Sequence, residues 1–527
     1  MITAHHGPAV SAASPSVLWA DPGVPATAFV GPALAAGLRG AVTAQPSKNS
    51  TSRRLLAAAL AAGESTVRGV ADSDDAASMI RGLRAMGAAI ELTSASANDP
   101  AAGSTARITG FGGRPRLSTG PGGGPPKPID VGNAGAVLRL LLGVGALLPE
   151  VTFVTTHAES LGKRPNADLL AALEGLGVET ESTGPDGRLP ITLRGGPGRL
   201  RGGRVEVSGA RSSQFLSGLL FLAPCLPAPV EIAVTGGLVS KPAVLQTLES
   251  LELSGVAVES SDDLLTHRIA PTAYAAGDRA INGDWPGSAA LLAAAAVAAG
   301  SGGVTVRGLA DDRQGERMIA EVLASMGAGV SANPGFLRPM LTAVIPAVSS
   351  EMERGVPEVT ITPGAPLRGV EIDGDPMTDA VLALLGAAAL ARGRTRVHGV
   401  SNLRIKECDR IAEPVAELRK IGVRCWEGLD PAIADPDPDA IVIEGNPAGY
   451  EGGIVVDGRG DHRVVMMLAI VALRCRRGLT ITGAHHVAKS YPGFFHHLAA
   501  LGAEVGLTPD APDGVEAASN GPEVARE

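Results

Sequence analysis

Aromatic residues make up only 3 % of the 527 residues, with three tryptophans, three tyrosines and eight phenylalanines. A core this large cannot rest on ring anchors. Hydrophobic residues still reach 45 %, and there are 69 glycines. That balance favours helices that approach closely through small side chains. Cysteine is scarce: Cys225, Cys408, Cys425 and Cys475 form no CxxC pair and no metal-ligand spacing. This argues against a disulfide scaffold and fits reduced thiols in the cytoplasm. An excess of positive charge is missing as well. A net charge of −9 argues against a nucleic-acid-binding surface over the whole protein, but leaves room for a local basic pocket. No apolar run is long enough to span a bilayer. Leu55–Ala62 and Ala289–Ala299 are short and alanine-rich, and read as buried helices. Met1–Ala20 has no basic stretch leading into an apolar one, so no signal peptide is read there.

What is present is one pattern written six times. Each copy runs small-residue helix, turn, β-rich strand, polar loop, second helix, glycine, strand. The second helices end in Leu83-Arg84-Ala85-Met86-Gly87, Leu173-Glu174-Gly175-Leu176-Gly177, Leu251-Glu252-Leu253-Ser254-Gly255, Leu323-Ala324-Ser325-Met326-Gly327, Leu418-Arg419-Lys420-Ile421-Gly422 and Leu498-Ala499-Ala500-Leu501-Gly502. A glycine just past a helix predicts a left-handed cap. Copies this far apart are supersecondary units, not short solenoid repeats.

Length alone asks for two domains. Three units precede residue 280 and three follow it. The reading is a flexible extension at 1–30, one domain from 31–46 with 281–507, a second from 47–280, and a flexible tail at 508–527. Ala44–Ser47 and Ile281–Asp284 would be the crossings between domains, and two crossings make a hinge beside a cleft that closes. Ser96–Pro128, dense in glycine and proline, reads as an exposed loop within the first unit.

Superposed, the six units place polar and often basic residues where helices begin. At first helices these are Lys48 and Arg53, Asn133 and Arg139, Ser212, Ser213 and Gln214, Asp284 and Ser288, Asp379, and Asp461, His462 and Arg463. Before second helices come Lys163 and Arg164, Ser240 and Lys241, Arg404, Lys406, Glu407 and Arg410, and Lys489. Helix N-termini favour anions through free N–H groups, and Ser, Gln, Lys and Arg there suit phosphate and carboxylate. Any one of these residues alone reads as a cap or a solvated charge; six parallel occurrences point to a cleft for a multiply anionic substrate set. Asp72, Asp74 and Asp75 read as caps of the following helix. The pairs His5-His6, His485-His486 and His496-His497 are not chelates, because adjacent helical side chains diverge by about 100°. No metal is expected.

These residues resemble the EPSP synthase family of the enolpyruvyl transferase superfamily. The resemblance runs from about Leu38 to Val505. Asn402-Leu403-Arg404-Ile405-Lys406-Glu407-Cys408-Asp409-Arg410 follows the family pattern N-x-R-x-K-E-x-D-R. It is supported by Ser47-Lys48, Gly132-Asn133-Ala134-Gly135, Arg164-Pro165, Ser212-Ser213-Gln214, Val239-Ser240-Lys241-Pro242, Gly283-Asp284, Thr378-Asp379, Asp461-His462-Arg463 and Ala488-Lys489-Ser490, all in order. The resemblance implies a two-domain inside-out α/β barrel of six β-α-β-α-β-β units, three per domain. It implies transfer of the enolpyruvyl group of phosphoenolpyruvate to shikimate 3-phosphate, in chorismate and aromatic amino acid biosynthesis. Lys48, Asn49, Arg53, Ser212, Ser213, Gln214, Ser240, Asp379 and Lys406 would meet shikimate 3-phosphate. Lys48, Gly135, Arg164, Gln214, Arg410, Arg463 and Lys489 would meet phosphoenolpyruvate. Asp379 and Glu407, with Lys48 and Lys489, would carry the proton transfers. The family implies no cofactor, no nucleic acid and no membrane, and the chain is expected to be a cytoplasmic monomer.

Departures fall on the acceptor side. Asn49 stands where serine is usual, and Lys-Asn is typical of the UDP-N-acetylglucosamine 1-carboxyvinyltransferases. Ala243 replaces an aromatic residue. Ala136, Leu140, Cys408 and Trp285-Pro286-Gly287 also differ. The loop His157–Pro165 lacks the reactive cysteine that the UDP-sugar enzymes usually carry there. A non-catalytic binder would have no use for Asp379 and Glu407.

Overall fold

All six glycines that close the second helices have positive φ, from 75° at Gly255 to 110° at Gly327. After each, the next N–H reaches back to the leucine carbonyl five residues earlier: Ala88 to Leu83, Val178 to Leu173, Val256 to Leu251, Ala328 to Leu323, Val423 to Leu418 and Ala503 to Leu498. This closure satisfies carbonyls that the helix end leaves free. The computed structural model describes residues 18–21, 23–94, 103–118, 126–333, 356–433 and 435–510.

The first helices of the six units are α1 (Lys48–Leu60), α3 (Gly135–Gly145), α5 (Ser213–Leu222), α7 (Trp285–Ala298), α9 (Val381–Ala388) and α11 (His462–Ala472). The second helices are α2 (Asp74–Ala85), α4 (Ala167–Gly175), α6 (Lys241–Glu252), α8 (Ile319–Met326), α10 (Ala412–Ile421) and α12 (Phe494–Ala500). Among the described residues there are six four-stranded sheets, one per unit. The unit around α3 shows the plan. Ile129–Asp130 runs parallel to Val151–Val154, and Arg188–Arg194 inserts antiparallel between Val151–Val154 and the edge strand Glu179–Thr183.

The first helices are the buried ones. Every residue of α9 and α11 is buried. Small residues set how closely they pack: a Cβ on Gly143 of α3 would collide with the Gly218 carbonyl of α5. Helices lie inside and sheets outside, so the fold is the inside-out α/β arrangement. Two apolar cores result. One gathers residues from Leu55 to Tyr274; the other joins Leu18–Ala44 to Trp285–Leu507.

The chain passes between the cores at two adjacent crossings. Strand Leu38–Thr43 pairs in parallel with Ala299–Arg307, and strand Asp278–Ala280 with Ala62–Val70. Between these pairings Pro46 bridges Gly283, Ser47 N donates to Asn282 O at 2.9 Å, and Asp284 N donates to Gln45 O at 2.7 Å.

Three expectations change. Ala26–Val30, assigned to the flexible extension, is a strand pairing with Leu479–Thr482 and Val505–Pro509. The last of these also carries order past residue 507, into the expected tail. Its alternation of buried and half-buried residues explains the ordering of 26–30. Within the expected loop Ser96–Pro128, Ser104–Phe111 is a strand with Ala106 and Ile108 facing the core. The glycine-rich run Gly120–Pro126 lies almost wholly outside the described residues, as do His5-His6.

Candidate active site

Helix N-termini from both halves converge on one cleft. Lys48 opens α1, whose cap Ser47 accepts from Ser50 N at 3.4 Å. Ser212 caps α5, accepting from Gln214 N at 3.3 Å. Asp284 caps α7 and Asp461 caps α11, each accepting at 2.8 Å, from Gly287 N and Arg463 N. Gly135 opens α3, and a Cβ there would lie 2.6 Å from Arg164 Nη1 and 2.8 Å from Arg139 Nη1. A side chain at this position would make both guanidinium groups shift away from this helix end. Ser240, ahead of α6, sits in the left-handed region at φ 51°. Its N–H donates to Asp375 Oδ1 at 2.9 Å, and its Oγ accepts from Asn402 Nδ2 at 3.2 Å, both across the cleft.

The charged residues form one web centred on Arg410, which is 1 % exposed. Its Nε donates to Asp461 Oδ2 at 2.7 Å, Nη1 to Asp379 Oδ1 at 3.0 Å and Nη2 to Glu407 Oε2 at 2.7 Å. Arg463 Nη2 lies 3.1 Å from Asp379 Oδ2. Arg164 Nη2 lies 3.4 Å from Glu407 Oε1, and Lys489 pairs with the same oxygen. Lys489 Nζ also donates to Asn133 O in the opposite half at 2.7 Å. Lys48 Nζ pairs with Asp75 Oδ2 at 2.8 Å. Facing cations are therefore interleaved with carboxylates, and the halves meet through polar bridges instead of being held apart by bare like charge.

Donors remain unused. The Nε and Nη2 atoms of both Arg164 and Arg463 are buried without a well-formed hydrogen bond, although each Nη2 lies beside a carboxylate oxygen. Buried N–H groups on a cation are costly to leave unpaired, so the two Nε atoms are laid out for an anion. His462 lines the cleft with both ring nitrogens buried and unpaired.

Burial alone would raise Asp379, but Arg463, Lys406, Arg410 and Lys48 hold it well below the usual carboxylate range. Burial is likewise overridden at Glu407 by Arg410, Lys489 and Arg164. Lys489 is pulled below the ordinary lysine value by burial, with Arg164 and Lys48 adding to the effect against Glu407 and Asp75. Lys406 is lowered by burial and by Arg410 and Arg164, against Asp379 and Glu407. Lys48 goes the other way: burial lowers it, yet Asp75 and Asp379 carry it above its ordinary value. His462 is held well below the usual histidine range by burial and by Arg463, so its ring is neutral.

Lys48, Asn49, Arg53, Gly135, Arg164, Ser212, Ser213, Gln214, Ser240, Asp379, Lys406, Glu407 and Arg410 all line the cleft. Arg463 and Lys489 join it through Asp379 and Glu407. Arg53 differs from the rest. Its Nε, Nη1 and Nη2 donate to Thr247 Oγ1, Asn49 O and Ala243 O at 2.9, 3.0 and 3.0 Å. Three of its five N–H donors join α1 to α6 and hold the guanidinium at the cleft wall.

The sequence suggests a cap at Asp75, but Ser73 caps α2, accepting from Ala76 N. Asp75 instead reaches Lys48 in the cleft. Arg139 also gains a role. It donates to Asn166 Oδ1 at 2.9 Å, Pro165 O at 3.1 Å and Gln214 Oε1 at 3.2 Å, which turns the Gln214 amide. Glu316, Asn402 and Thr378 line the cleft without having been singled out as site residues. For Asn402 the N-x-R-x-K-E-x-D-R signature was the available signal; for Asp75 and Glu316 there was none. Trp285 is wholly buried, with Nε1 donating to Ala310 O at 2.8 Å, so the Trp-Pro-Gly departure is accommodated in the core.

Among the described residues no group of three His, Cys, Asp or Glu side chains is arranged to hold a metal, and no helix is long and apolar enough to cross a membrane. The four cysteines are free thiols.

Residues 34–498 match the family model described as EPSP synthase (3-phosphoshikimate 1-carboxyvinyltransferase). A 3-phosphoshikimate 1-carboxyvinyltransferase of Deinococcus radiodurans is 45 % identical over 468 residues, covering 88 % of this chain and 94 % of its own. One from Burkholderia pseudomallei is 34 % identical, with 89 % and 93 % covered. In structure, the EPSP synthase of Acinetobacter baumannii superposes with a TM-score of 0.70 at 23 % identity, over 91 % of this chain and 100 % of that one. The enolpyruvyl transferase NikO of Streptomyces tendae gives 0.66 at 19 % identity, over 93 % and 100 %. At these identities the two structures speak to the fold alone.

Proposed function

This chain belongs to the EPSP synthase family, and we propose that its cleft transfers the enolpyruvyl group of phosphoenolpyruvate to the 5-hydroxyl of shikimate 3-phosphate, releasing phosphate. One observation carries the assignment of roles: Asp379 and Glu407 share the buried Arg410 guanidinium, at 3.0 and 2.7 Å, beside the Nε donors of Arg164 and Arg463, which make no hydrogen bond.

The reaction needs two proton movements. The acceptor oxygen attacks C2 of phosphoenolpyruvate, giving up its hydroxyl proton, while C3 gains one. C3 then loses a proton as the C2–O bond to phosphate breaks and phosphate departs. Asp379 lies next to Thr378 and faces Lys48 and Lys406 on the acceptor side. It takes the hydroxyl proton. Glu407 lies between Arg410, Lys489 and Arg164, the set assigned to phosphoenolpyruvate. It serves C3. Both carboxylates are ionised as the structure stands. An incoming trianion draws the same cations to itself, so the proton affinity of Glu407 rises when that substrate binds. Arg164 and Arg463 neutralise the departing phosphate with donors already in place. Ser212, Ser213, Ser240 and Lys48 hold the acceptor's phosphate, and Gln214, turned by Arg139, meets its ring.

All these groups come from one chain, which supports a monomer, and four free thiols fit a reducing cytoplasm. Residues 47–280 and 281–507 with 31–46 act as the two closing bodies. The test is phosphate release with shikimate 3-phosphate and UDP-N-acetylglucosamine as rival acceptors. Release that depends on shikimate 3-phosphate is expected. Equal turnover with the UDP-sugar would overturn the acceptor assignment, and Asn49 and Ala243, both lining the cleft, would be its cause.

A further inference from the structure

Lys489 sits on a short loop, and that loop is gripped from behind by residues that precede the family match. The match begins at residue 34. Upstream of it, Leu18 and Ala20 are 6 % and 7 % exposed and belong to the apolar core. Ala20 N donates to Pro492 O at 3.0 Å. The Trp19 indole lies against Gly493, where a Cβ would come within 2.8–3.2 Å of three ring carbons. The same indole sits 5.8 Å, centroid to centroid, from the His496 ring. At the other end of the loop Ala26 N donates to His485 Nδ1 at 3.2 Å.

Between these two clasps the loop runs through a 3-10 turn, Ala484–Lys489, to Ser490 and Tyr491. Its inner side is held by Gln45, whose side-chain amide donates to Ser490 O, and by Tyr491 Oη against His497 Nδ1 at 2.6 Å. Lys489 projects across the cleft to Asn133 O and Glu407. A long, flexible ammonium side chain is a precise ligand only when its backbone is fixed.

We propose that Leu18–Asp21 and Gly23–Ala26 are positioning elements of the active site: Trp19 on Gly493 and the Ala26 N–H on His485 clamp the loop that presents Lys489, and so set the affinity for phosphoenolpyruvate. This rests on the reading that Lys489 meets that substrate. Trp19 touches neither substrate nor reacting atoms and acts only through the loop.

The test compares the full chain with Trp19→Ala, Trp19→Phe and Lys489→Met, in steady-state kinetics and in hydrogen exchange of the Ser490 and Tyr491 amides. Both amides are bonded to Val487 O, at 3.1 and 2.7 Å. In Trp19→Ala these amides should exchange faster while core amides keep their rates. KM for phosphoenolpyruvate should rise about 5- to 20-fold with KM for shikimate 3-phosphate unchanged, within the cost of a misplaced positioning group. Trp19→Phe should recover most of both effects. Unchanged loop exchange in Trp19→Ala overturns the clamp whatever the kinetics. Faster exchange with an unchanged KM, while Lys489→Met raises it, shows that the segment orders the loop but not the lysine, and also overturns the proposal. If Lys489→Met itself leaves that KM unchanged, the role given to Lys489 falls first, and the proposal with it.

Discussion

Lys48 Nζ lies 2.8 Å from Asp75 Oδ2, with the two side chains only 9 % and 6 % exposed. The pair joins the start of α1 to the first turn of α2. Burial would lower Lys48, and Asp75 is the largest influence opposing it. A lysine raised in this way keeps its charge below its ordinary value and loses it only as pH climbs through the raised one. Asp75→Asn should therefore shift the alkaline limb of kcat/KM to lower pH. It should also cost about 10- to 100-fold in kcat/KM, the worth of a charge-assisted contact. An alkaline limb left at its original place in the variant would mean that another group holds Lys48.

Glu407→Gln and Asp379→Asn preserve shape and remove a titrating group. Each should lower turnover by about 10²–10⁴-fold. Binding should follow the opposite rule at Glu407. Its removal frees Arg410, Lys489 and Arg164 from a competing carboxylate, so inorganic phosphate should bind at least as tightly by calorimetry. Near-normal turnover in either variant would end that residue's role in proton transfer.

Glu316 is raised to about 7, mainly by burial and by the neighbouring Asp379. A carboxyl raised on folding stabilises the fold while it stays protonated. That contribution is present at low pH and lost as pH rises from the unfolded value, about 4.3, to about 7. His486 and His497, each lowered to about 4 with burial the main cause, work in the opposite direction. The difference between wild type and Glu316→Gln cancels them. Between pH 5 and 8 the wild-type Tm should fall more steeply than the variant's. Parallel curves would show that Glu316 is ionised throughout.

Among the described residues, polar bridges between the halves run from Ser240 to Asp375, Asn402 to Ser240, Ser160 to Glu407 O, Arg164 to Glu407 and Lys489 to Asn133 O. Water can replace contacts of this kind, so the halves should be able to separate about the Gln45–Asp284 crossings, and substrate anions that engage cations of both halves should favour the closed form. Small-angle scattering should show a smaller radius of gyration with shikimate 3-phosphate and phosphoenolpyruvate than without them. The same radius at saturation, with full activity, would mean that the cleft does not open.

Features with a local cause could be read from the chain. The six Leu-to-Gly helix ends appear as written, because a helix cap is decided within a few residues. Many of the cationic helix starts also gather as the superposition of units implies, but Lys163, Lys241 and Arg404 stay outside the cleft lining, Lys163 on Glu159 and Arg404 on Asp409, Glu427 and Asp439. What failed was decided at long range or hidden by composition. Asp75 looks like a first-turn acid, and only the packing of α2 on α1 brings it to Lys48. The contacts of Arg53 with Thr247 and Ala243, far along the chain, could not be read from its neighbours either. The strand Ser104–Phe111 hides among glycines and prolines, although Ala106 and Ile108 alternate as a strand requires. Ala26–Val30 is too short to announce itself without Leu479–Thr482 and Val505–Pro509 beside it.

The double crossing also fixes an order of events at the ribosome. Strand Leu38–Thr43 finds its parallel partner only at Ala299–Arg307, and Ala26–Val30 waits for segments at the far C-terminal end. Meanwhile the core from Leu55 to Tyr274 draws on a continuous stretch and can consolidate during translation. Until Ala299–Arg307 has been made, two nascent β-strands lack their partners, and Ala26–Val30 lacks its own until Leu479–Thr482 and Val505–Pro509 follow. Such unpaired strands need protection from other chains.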